Sequence, residues 1–387
     1  VTADVDFAWI DDPSGLEGLL AALERVERFA LDTEFHRERT FFPRLALIQV
    51  AWEGEIALID PLAVDVTQLA RVFQSETVVV VHAGQQDLDV LRHAVGAVPR
   101  RLYDTQLGGG FLGYGTPSLG ALVSAEIGIT PAKGDRLTDW LRRPLSSAQL
   151  NYAAADVAYL LEIQDRQLDE LARLGRLGWV EGACAELLER GGGPSDPERA
   201  WLKLKDARSL KPSGRAVAQA VAAWRERRAM ASDVPVRHVL ADLAILGIAQ
   251  RQPTSAEELS QCRGVESRSI KGAMTEEILE AVRVGRQAPP PESPPSSDDL
   301  DRDLRPAVAL LAAWITQLAK DERIDASLLA TRADLVAQLR GDAGARLGSG
   351  WRAEVLGDGL RRLLDGSAGL GFSPGQGLRL VPLASGD

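Results

Sequence analysis

A chain of 387 residues exceeds what one ordinary hydrophobic core supports and predicts two or three domains. Its 45% apolar and 26% charged residues are the composition of a globular protein. The formal charge of −11, from 44 Lys and Arg against 55 Asp and Glu, argues against a generic nucleic-acid binder, whose phosphate contacts need cations. Local basic patches remain compatible with it, and carboxylate-built metal sites themselves add negative charge. Cys184 and Cys262 are too few and too far apart for a disulfide framework or a zinc site, and free thiols fit a reducing compartment. The first ten residues carry acids and no basic region of a secretory signal, and no apolar run approaches the roughly 20 residues of a membrane span. The expectation is a soluble cytoplasmic protein that makes no membrane contact.

In chain order, residues 5 to 10 read as a short strand. Ser14 to Glu27 read as a helix, with Leu16, Leu19, Leu20 and Leu23 at helical spacing. The stretch from Phe29 predicts a buried strand that ends in Asp32 and Glu34. Side chains at i and i+2 share a face, so these two carboxylates stand together and repel. A shared proton, a basic partner such as Arg37 or Arg39, or a divalent cation would offset that repulsion; alone, the pair also fits a solvated strand end. Arg44 to Trp52 and Glu55 to Asp60 flank Glu53-Gly54 as a hairpin, so the central strands begin as an antiparallel meander. A helix near 66 to 74 leads to Thr77–His82, whose four valines predict a strand buried on both faces, and another helix starts near Gln85. A meander followed by alternating helix and strand is an α/β pattern with a mixed sheet.

Gly108, Gly110 and Gly113 match Gly-x-Gly-x-x-Gly. That fingerprint needs a strand just before it and a helix just after. Asp104-Thr-Gln-Leu instead reads as a helix start, so the glycines are assigned to close helix packing and no nucleotide cofactor is expected. Ser146-Ser-Ala-Gln149 resembles a capping box and opens one long helix, Leu150 to Leu174. On it Tyr152 and Asp156 lie one turn apart on one face.

A Gly191 to Pro197 run has linker chemistry and closes a first domain, 1–195. A helical domain follows at 203–288, with Pro212 at a helix start, apolar stripes at 216–230 and 239–248, and a cap at Thr254-x-x-Glu257. Residues 289–298 form a Pro-rich spacer. A further helical domain covers 299–387, with helices near 304–319, 327–340 and 350–365; the tail after Gly369 gives no pattern.

The first domain thus offers Asp32, Glu34, Asp87 and Asp156, with Tyr152, at the ends of core elements. Hard oxygen donors select Mg²⁺ or Mn²⁺, and two such ions about 4 Å apart suit phosphoryl chemistry. Leu31-Asp-Thr-Glu-Phe35, His82-Ala-Gly-Gln-Gln-Asp-Leu88, Asp139-Trp-Leu-Arg-Arg-Pro-Leu145 and Asn151-Tyr-Ala-Ala-Ala-Asp156 resemble, in order and spacing, the motifs of the ribonuclease D family. That family is a Tyr-x-x-x-Asp branch of the DEDD exonucleases. The resemblance implies a ribonuclease H-like fold and metal-dependent hydrolysis from the 3′ end that releases nucleoside 5′-monophosphates. It implies that Asp32, Glu34, Asp87 and Asp156 hold two divalent ions and that Tyr152 positions the attacking water. An unperturbed tyrosine pKa near 10 makes it a poor general base, which leaves it an orienting role. Asp89 points elsewhere on its helix, and Asp104 reads as a helix cap. His82 reads as a packing or hydrogen-bonding residue that can line the cleft.

Trp224-Arg-Glu-Arg-Arg228 and Pro235-x-x-x-Val239-Leu-x-Asp242 resemble the HRDC module, and Gly350-Trp-Arg-Ala-Glu-Val-Leu-Gly357 weakly resembles a second, diverged copy. The implied architecture is a mixed-sheet catalytic domain followed by two all-α HRDC-type domains. From Lys203 to Arg237 there are nine Lys or Arg and three acids, a local footprint for a nucleic-acid backbone. Candidate phosphate contacts are Arg37, Arg39, Lys133, Arg136, Arg142, Arg143, Arg225, Arg227 and Arg228, each of which also fits a solvated charge. The expected partner is RNA, in particular transfer-RNA precursors and other structured RNAs with 3′ extensions, acted on by a monomer. The competing readings are a single-strand DNA 3′–5′ exonuclease and a non-catalytic RNA-binding scaffold.

Overall fold

The computed structural model describes residues 6–130, 138–190, 196–266, 272–292 and 304–383. The chain forms two compact units: Val1–Glu34 with Ala46–Gly191 and Pro295–Asp387, and Phe35–Leu45 with Gly192–Pro294. Among the described residues no helix is long and apolar enough to cross a membrane.

The first unit is built on strands β1 (Ala8–Ile10), β2 (Arg28–His36), β3 (Arg44–Trp52), β4 (Glu55–Ile59), β5 (Val78–Val81) and β6 (Arg101–Asp104), in the order β1-β4-β3-β2-β5-β6. The expected hairpin is present, with Trp52 opposite Glu55 in the antiparallel β3–β4 pair. β1 joins β4 in parallel, and β2, β5 and β6 pair in parallel. The sheet is therefore mixed, and β2 lies inside it. Its helices are α1 (Pro13–Leu23), α2 (Leu69–Phe73), α3 (Gln85–Ala94), α4 (Thr105–Phe111), α5 (Leu119–Leu122), α6 (Ser147–Ala158), α7 (Leu160–Arg173) and α8 (Leu177–Glu189). Ala30, Leu47, Leu58 and Val80 of the sheet share a core with Ala153, Val157 and Leu160. The expected single helix 150–174 is two helices. Tyr159 leaves helical geometry at φ −110°, ψ −3°, and its ring packs against the small apolar group of Leu122, Val123 and Ile163.

Gly108 and Gly110 sit inside α4, preceded by β6, and Gly113 follows the helix at φ +92°. No strand-to-helix loop is left for a dinucleotide phosphate, and the glycines are spent on close packing as the sequence suggested. A Cβ on Gly108 would lie 2.3 Å from Gln167 Oε1 and 2.5 Å from the Tyr103 hydroxyl, and one on Gly110 would lie 2.7 Å from Leu328 Cδ1.

Leu328 belongs to a C-terminal set of helices that the sequence assigns to a separate module and the structure packs into the first unit. In chain order after the second unit's helices these are α14 (Leu304–Glu322), α15 (Ala326–Leu329), α16 (Arg332–Arg340) and α17 (Gly350–Leu364), followed by the hairpin β7 (Ala368–Ser373) and β8 (Gly377–Pro382). The expected helix 327–340 is broken by extended Ala330 and by Thr331, which starts α16 with a capping box. Arg176 fastens this set to the sheet domain by donating to the Phe111 carbonyl and to both the carbonyl and carboxylate of Glu322. Glu186 accepts from Arg346 and Arg352, and the Trp351 ring meets Phe111 edge-on at 4.9 Å and stacks near Trp179.

The second unit contains α9 (Pro212–Ser232), α10 (Val236–Val239), α11 (Asp242–Arg251), α12 (Ala256–Ser260) and α13 (Ala273–Gln287). Pro212 occupies the first helical position, as expected. The cap of α12 falls one residue later than Thr254 and Glu257: Ser255 accepts from the Glu258 N–H, and Glu258 takes the Thr254 N–H in return. Val217, Val221, Ile245, Ile248 and Ile278 form its core. Phe41 and Phe42 belong to this unit, and both backbone N–H groups donate to Asp233 Oδ1.

The buried Tyr103 hydroxyl donates to Gln167 Oε1 at 3.0 Å. Gly108→Ala drives a methyl between them. Loss of that bond costs about 1–3 kcal/mol, more than the roughly 0.5–1 kcal/mol that Ala gains over Gly in a helix. The expected outcome is a lower urea midpoint; a higher one contradicts the packing role.

Candidate active site

β2 carries Asp32 and Glu34 on one face and the buried Thr33 on the other. α6 starts at a capping box between Ser146 and Gln149, which fixes its first turn, and buries Ala153, Ala154 and Val157. Small residues there let the helix lie close to the sheet, and Asp156 then reaches the strand end. Asp32, Glu34 and Asp156 each present an oxygen such that all three lie within 4.8 Å of one another. Among the described residues this is the one group of three or more His, Cys, Asp or Glu side chains with such spacing. One turn before Asp156, the Tyr152 ring lies 6.1 Å from the buried Trp140 ring.

Asp87 stands in the first turn of α3, buried, and outside that trio. Its Oδ1 accepts the Thr33 hydroxyl. Burial pushes the Asp87 carboxyl up to about 6, against the opposing pull of the Thr33 hydrogen bond. Asp32 is raised well above the carboxylate range by burial first, then by the charges of Asp87, Asp156 and Glu34. Carboxyls that resist ionisation without a cation, in a cluster of hard oxygen donors, fit a hard divalent ion. Thr33 is the residue that sequence reasoning missed. Its position between the two acids was visible, but its contact with an acid 54 positions away was not. Asp89 makes an ion pair with Arg92 at 3.9 Å. Asp104 caps α4, as expected. His82 Nδ1 lies 2.9 Å from Thr105 Oγ1, and burial lowers the ring's pKa.

The candidate phosphate contacts divide. Arg143 is a correction: its guanidinium is consumed by Asp60, the Ala46 carbonyl and the Trp140 carbonyl. Arg225 is a second correction, because it is only 3% exposed and donates to the Leu240 carbonyl and Asp242. Arg143 has no donor left for a nucleic-acid backbone, and burial keeps Arg225 from reaching one. Arg228 is engaged with Glu277, and the exposed Arg227 pairs with Glu198. Arg37, Arg39 and Arg142 are exposed, with Arg37 over the Phe35 ring. Lys133 and Arg136 lie outside the described residues.

Because the folded-state pKa of Asp87 is raised, its protonated form is the stable one, and ionising it costs stability as pH rises from its unfolded value near 4 through about 6. In chelator, Asp87→Asn is therefore expected to gain thermal stability relative to the unsubstituted protein as pH goes from 4 to 7. A melting-temperature difference that stays flat over that range contradicts the burial.

A 3′–5′ exonuclease family model matches residues 7–172, and an HRDC domain model matches 214–282. The chain is 38% identical over 361 residues to ribonuclease D of Jannaschia sp., covering 91% of this chain and 93% of that one. It is 33% identical to ribonuclease D of Bartonella henselae, over 95% and 92%. The crystal structure of Escherichia coli RNase D, described as an exoribonuclease involved in structured RNA processing, matches with a TM-score of 0.84 at 30% identity, over 93% of this chain and 99% of that one. The catalytic core of RRP6 from Trypanosoma brucei matches at 0.58 and 25%, over 72% and 79%. With the three-carboxylate cluster at the end of β2 inside the matched exonuclease region, the chain belongs to the ribonuclease D family of 3′–5′ exoribonucleases.

Proposed function

We propose that this exoribonuclease trims the 3′ ends of structured RNAs, transfer-RNA precursors among them, as a cytoplasmic monomer that uses two Mg²⁺ or Mn²⁺ ions. The observation that carries the site is the convergence of Asp32, Glu34 and Asp156 within 4.8 Å. Together with the buried Asp87, these carboxylates would hold the ions. When bound, such ions supply a nucleophile at neutral pH and stabilise the leaving oxygen of an in-line phosphoryl displacement.

The chain's own residues do the positioning. Tyr152, packed near Trp140, presents a phenol one helical turn from Asp156 and orients the water against the terminal phosphate. The raised pKa of Asp32 means that its carboxylate is fully available only beside a cation. In the second unit, exposed Lys205, Lys211 and Arg227 offer phosphate contacts, and Arg37, Arg39 and Arg142 offer further ones. With Arg225 turned inward, this footprint is smaller than the charge count suggested.

The C-terminal helices support the reading of a diverged second HRDC module. The sequence α14, α15, α16, α17 repeats the long, one-turn, medium, long order of α9, α10, α11 and α13. The long helix ends in a positive-φ residue in both, Asp233 and Arg323. An extended residue with φ −158° follows the one-turn helix in both, Leu240 and Ala330.

The test uses full-length protein with a 3′-extended transfer RNA and with single-stranded DNA, in Mn²⁺, Mg²⁺ or chelator. Nucleoside 5′-monophosphates are expected from RNA, lost in chelator and reduced by about 100-fold or more in Asp32→Asn. Release that survives chelation or the substitution overturns the metal-dependent mechanism, and equal turnover of DNA overturns the RNA preference. For binding, Lys205→Ala with Lys211→Ala is expected to lower the slope of log affinity against log salt by about 0.9 for each lost phosphate contact. An unchanged slope removes both lysines from the interface.

A further inference from the structure

The carboxylate of Asp104 is shared between two helix starts. Its Oδ1 accepts the Gln106 and Leu107 N–H groups of its own helix α4, at 2.8 and 3.4 Å, and also the Ala83 N–H at 3.0 Å. Its Oδ2 accepts the Gly84 N–H at 2.9 Å. Ala83 and Gly84 form the turn from β5 into α3. Within the turn, the Gln85 N–H donates to the Ala83 carbonyl at 3.0 Å. Ala83 sits at φ +55°, a left-handed conformation unfavourable for a residue with a Cβ. Gly84 is the N-cap of α3 and supplies no side-chain acceptor. A Cβ at Gly84 would lie 2.5 Å from Val81 Cγ2, so no capping side chain fits there.

A second strap runs beside the first. Thr105 Oγ1 donates to the Val81 carbonyl and lies 2.9 Å from His82 Nδ1. The end of β5 is thus tied to the end of β6 by side chains of two successive residues. Asp104 itself is held, its N–H donating to the Cys184 sulfur at 3.3 Å, and it is only 2% exposed.

Asp87 is the third residue of α3, three positions after Gly84; its carboxylate accepts the Thr33 hydroxyl, and its charge acts on Asp32. A helix that short is aimed by its first turn. We infer that Asp104 is a positioning residue: by clamping the Ala83 and Gly84 N–H groups, it sets the start of α3 and hence where the Asp87 carboxyl stands in the metal site. This role goes beyond the cap of α4 and rests on the assignment of Asp87 to that site.

The unequal use of the two oxygens gives a selective test. In Asp104→Asn the amide oxygen can keep the three Oδ1 bonds, and Asn ranks with Asp as an N-cap, so α4 retains its start. The amide NH₂ then faces the Gly84 N–H, so the Gly84 half of the α3 clamp is lost while the cap of α4 stays. Mn²⁺ binding to the folded, RNA-free protein is measured by electron paramagnetic resonance of free Mn²⁺, well below the melting temperature of each variant. Outer-shell partners of metal ligands typically control affinity by 10- to 100-fold. The expected result is a weakening of Mn²⁺ binding by about 10-fold or more, with a matching fall in kcat and an RNA KM within about 2-fold.

Asp104→Ser, whose single hydroxyl caps α4 but cannot span to Gly84, is expected to behave like Asp104→Asn. On an Asp87→Asn background, adding Asp104→Asn is expected to cost no further Mn²⁺ affinity, because the clamp acts through Asp87. Wild-type Mn²⁺ affinity in Asp104→Asn overturns the inference, as does a loss that adds in full to that of Asp87→Asn. Wild-type affinity in Asp87→Asn alone overturns both the placement of Asp87 and the role of Asp104.

Discussion

Everything in this fold that bears on catalysis answers one constraint, the mutual repulsion of carboxylates gathered at the end of one inner strand. Asp32, Glu34 and Asp156 crowd within 4.8 Å, and Asp87 adds its field to Asp32. Such an arrangement lowers the stability of the ionised, metal-free chain. It persists because the elements that carry it are fixed by unrelated packing. β2 is hemmed by β3 and β5, and α6 is set by its capping box and its buried alanines. The fold supplies the rigidity, and a cation removes the repulsion.

Cations within the protein serve a different purpose. Arg143, Arg176, Arg225 and Arg352 point inward and donate to backbone carbonyls as well as to carboxylates. Each ties together segments far apart in sequence. Removing one leaves buried acceptors without partners, a larger loss than an exposed ion pair would bring. The arginines that remain at the surface are fewer than composition implied, in keeping with a nuclease whose net charge is −11.

Much of the site was legible because it follows short-range geometry. An i, i+2 pair on a strand and an i, i+4 pair on a helix need only the local period, and the Ser146 box announced α6. The glycines of α4 could be read as packing residues, but the partners, Gln167, Tyr103 and Leu328, could not. What failed to show was long-range or finely balanced. The basic stretch around Arg225 looked uniform, since a charge count does not separate a guanidinium paired with Asp242 from one in water. At the break, Tyr159 packs against Leu122 and Val123, a long-range contact, and no local breaker marks the place. The C-terminal hairpin alternates poorly because Gly369 and Gly371 stand in β7 where strand formers would be expected.

The most direct measurement of the central claim is anomalous diffraction from crystals of the full chain soaked in Mn²⁺. The account predicts density for Mn²⁺ bound by carboxylate oxygens of Asp32, Glu34 and Asp156, lost when Asp32 is replaced by Asn. Density absent from that cluster, or present and unaltered by the substitution, would contradict it.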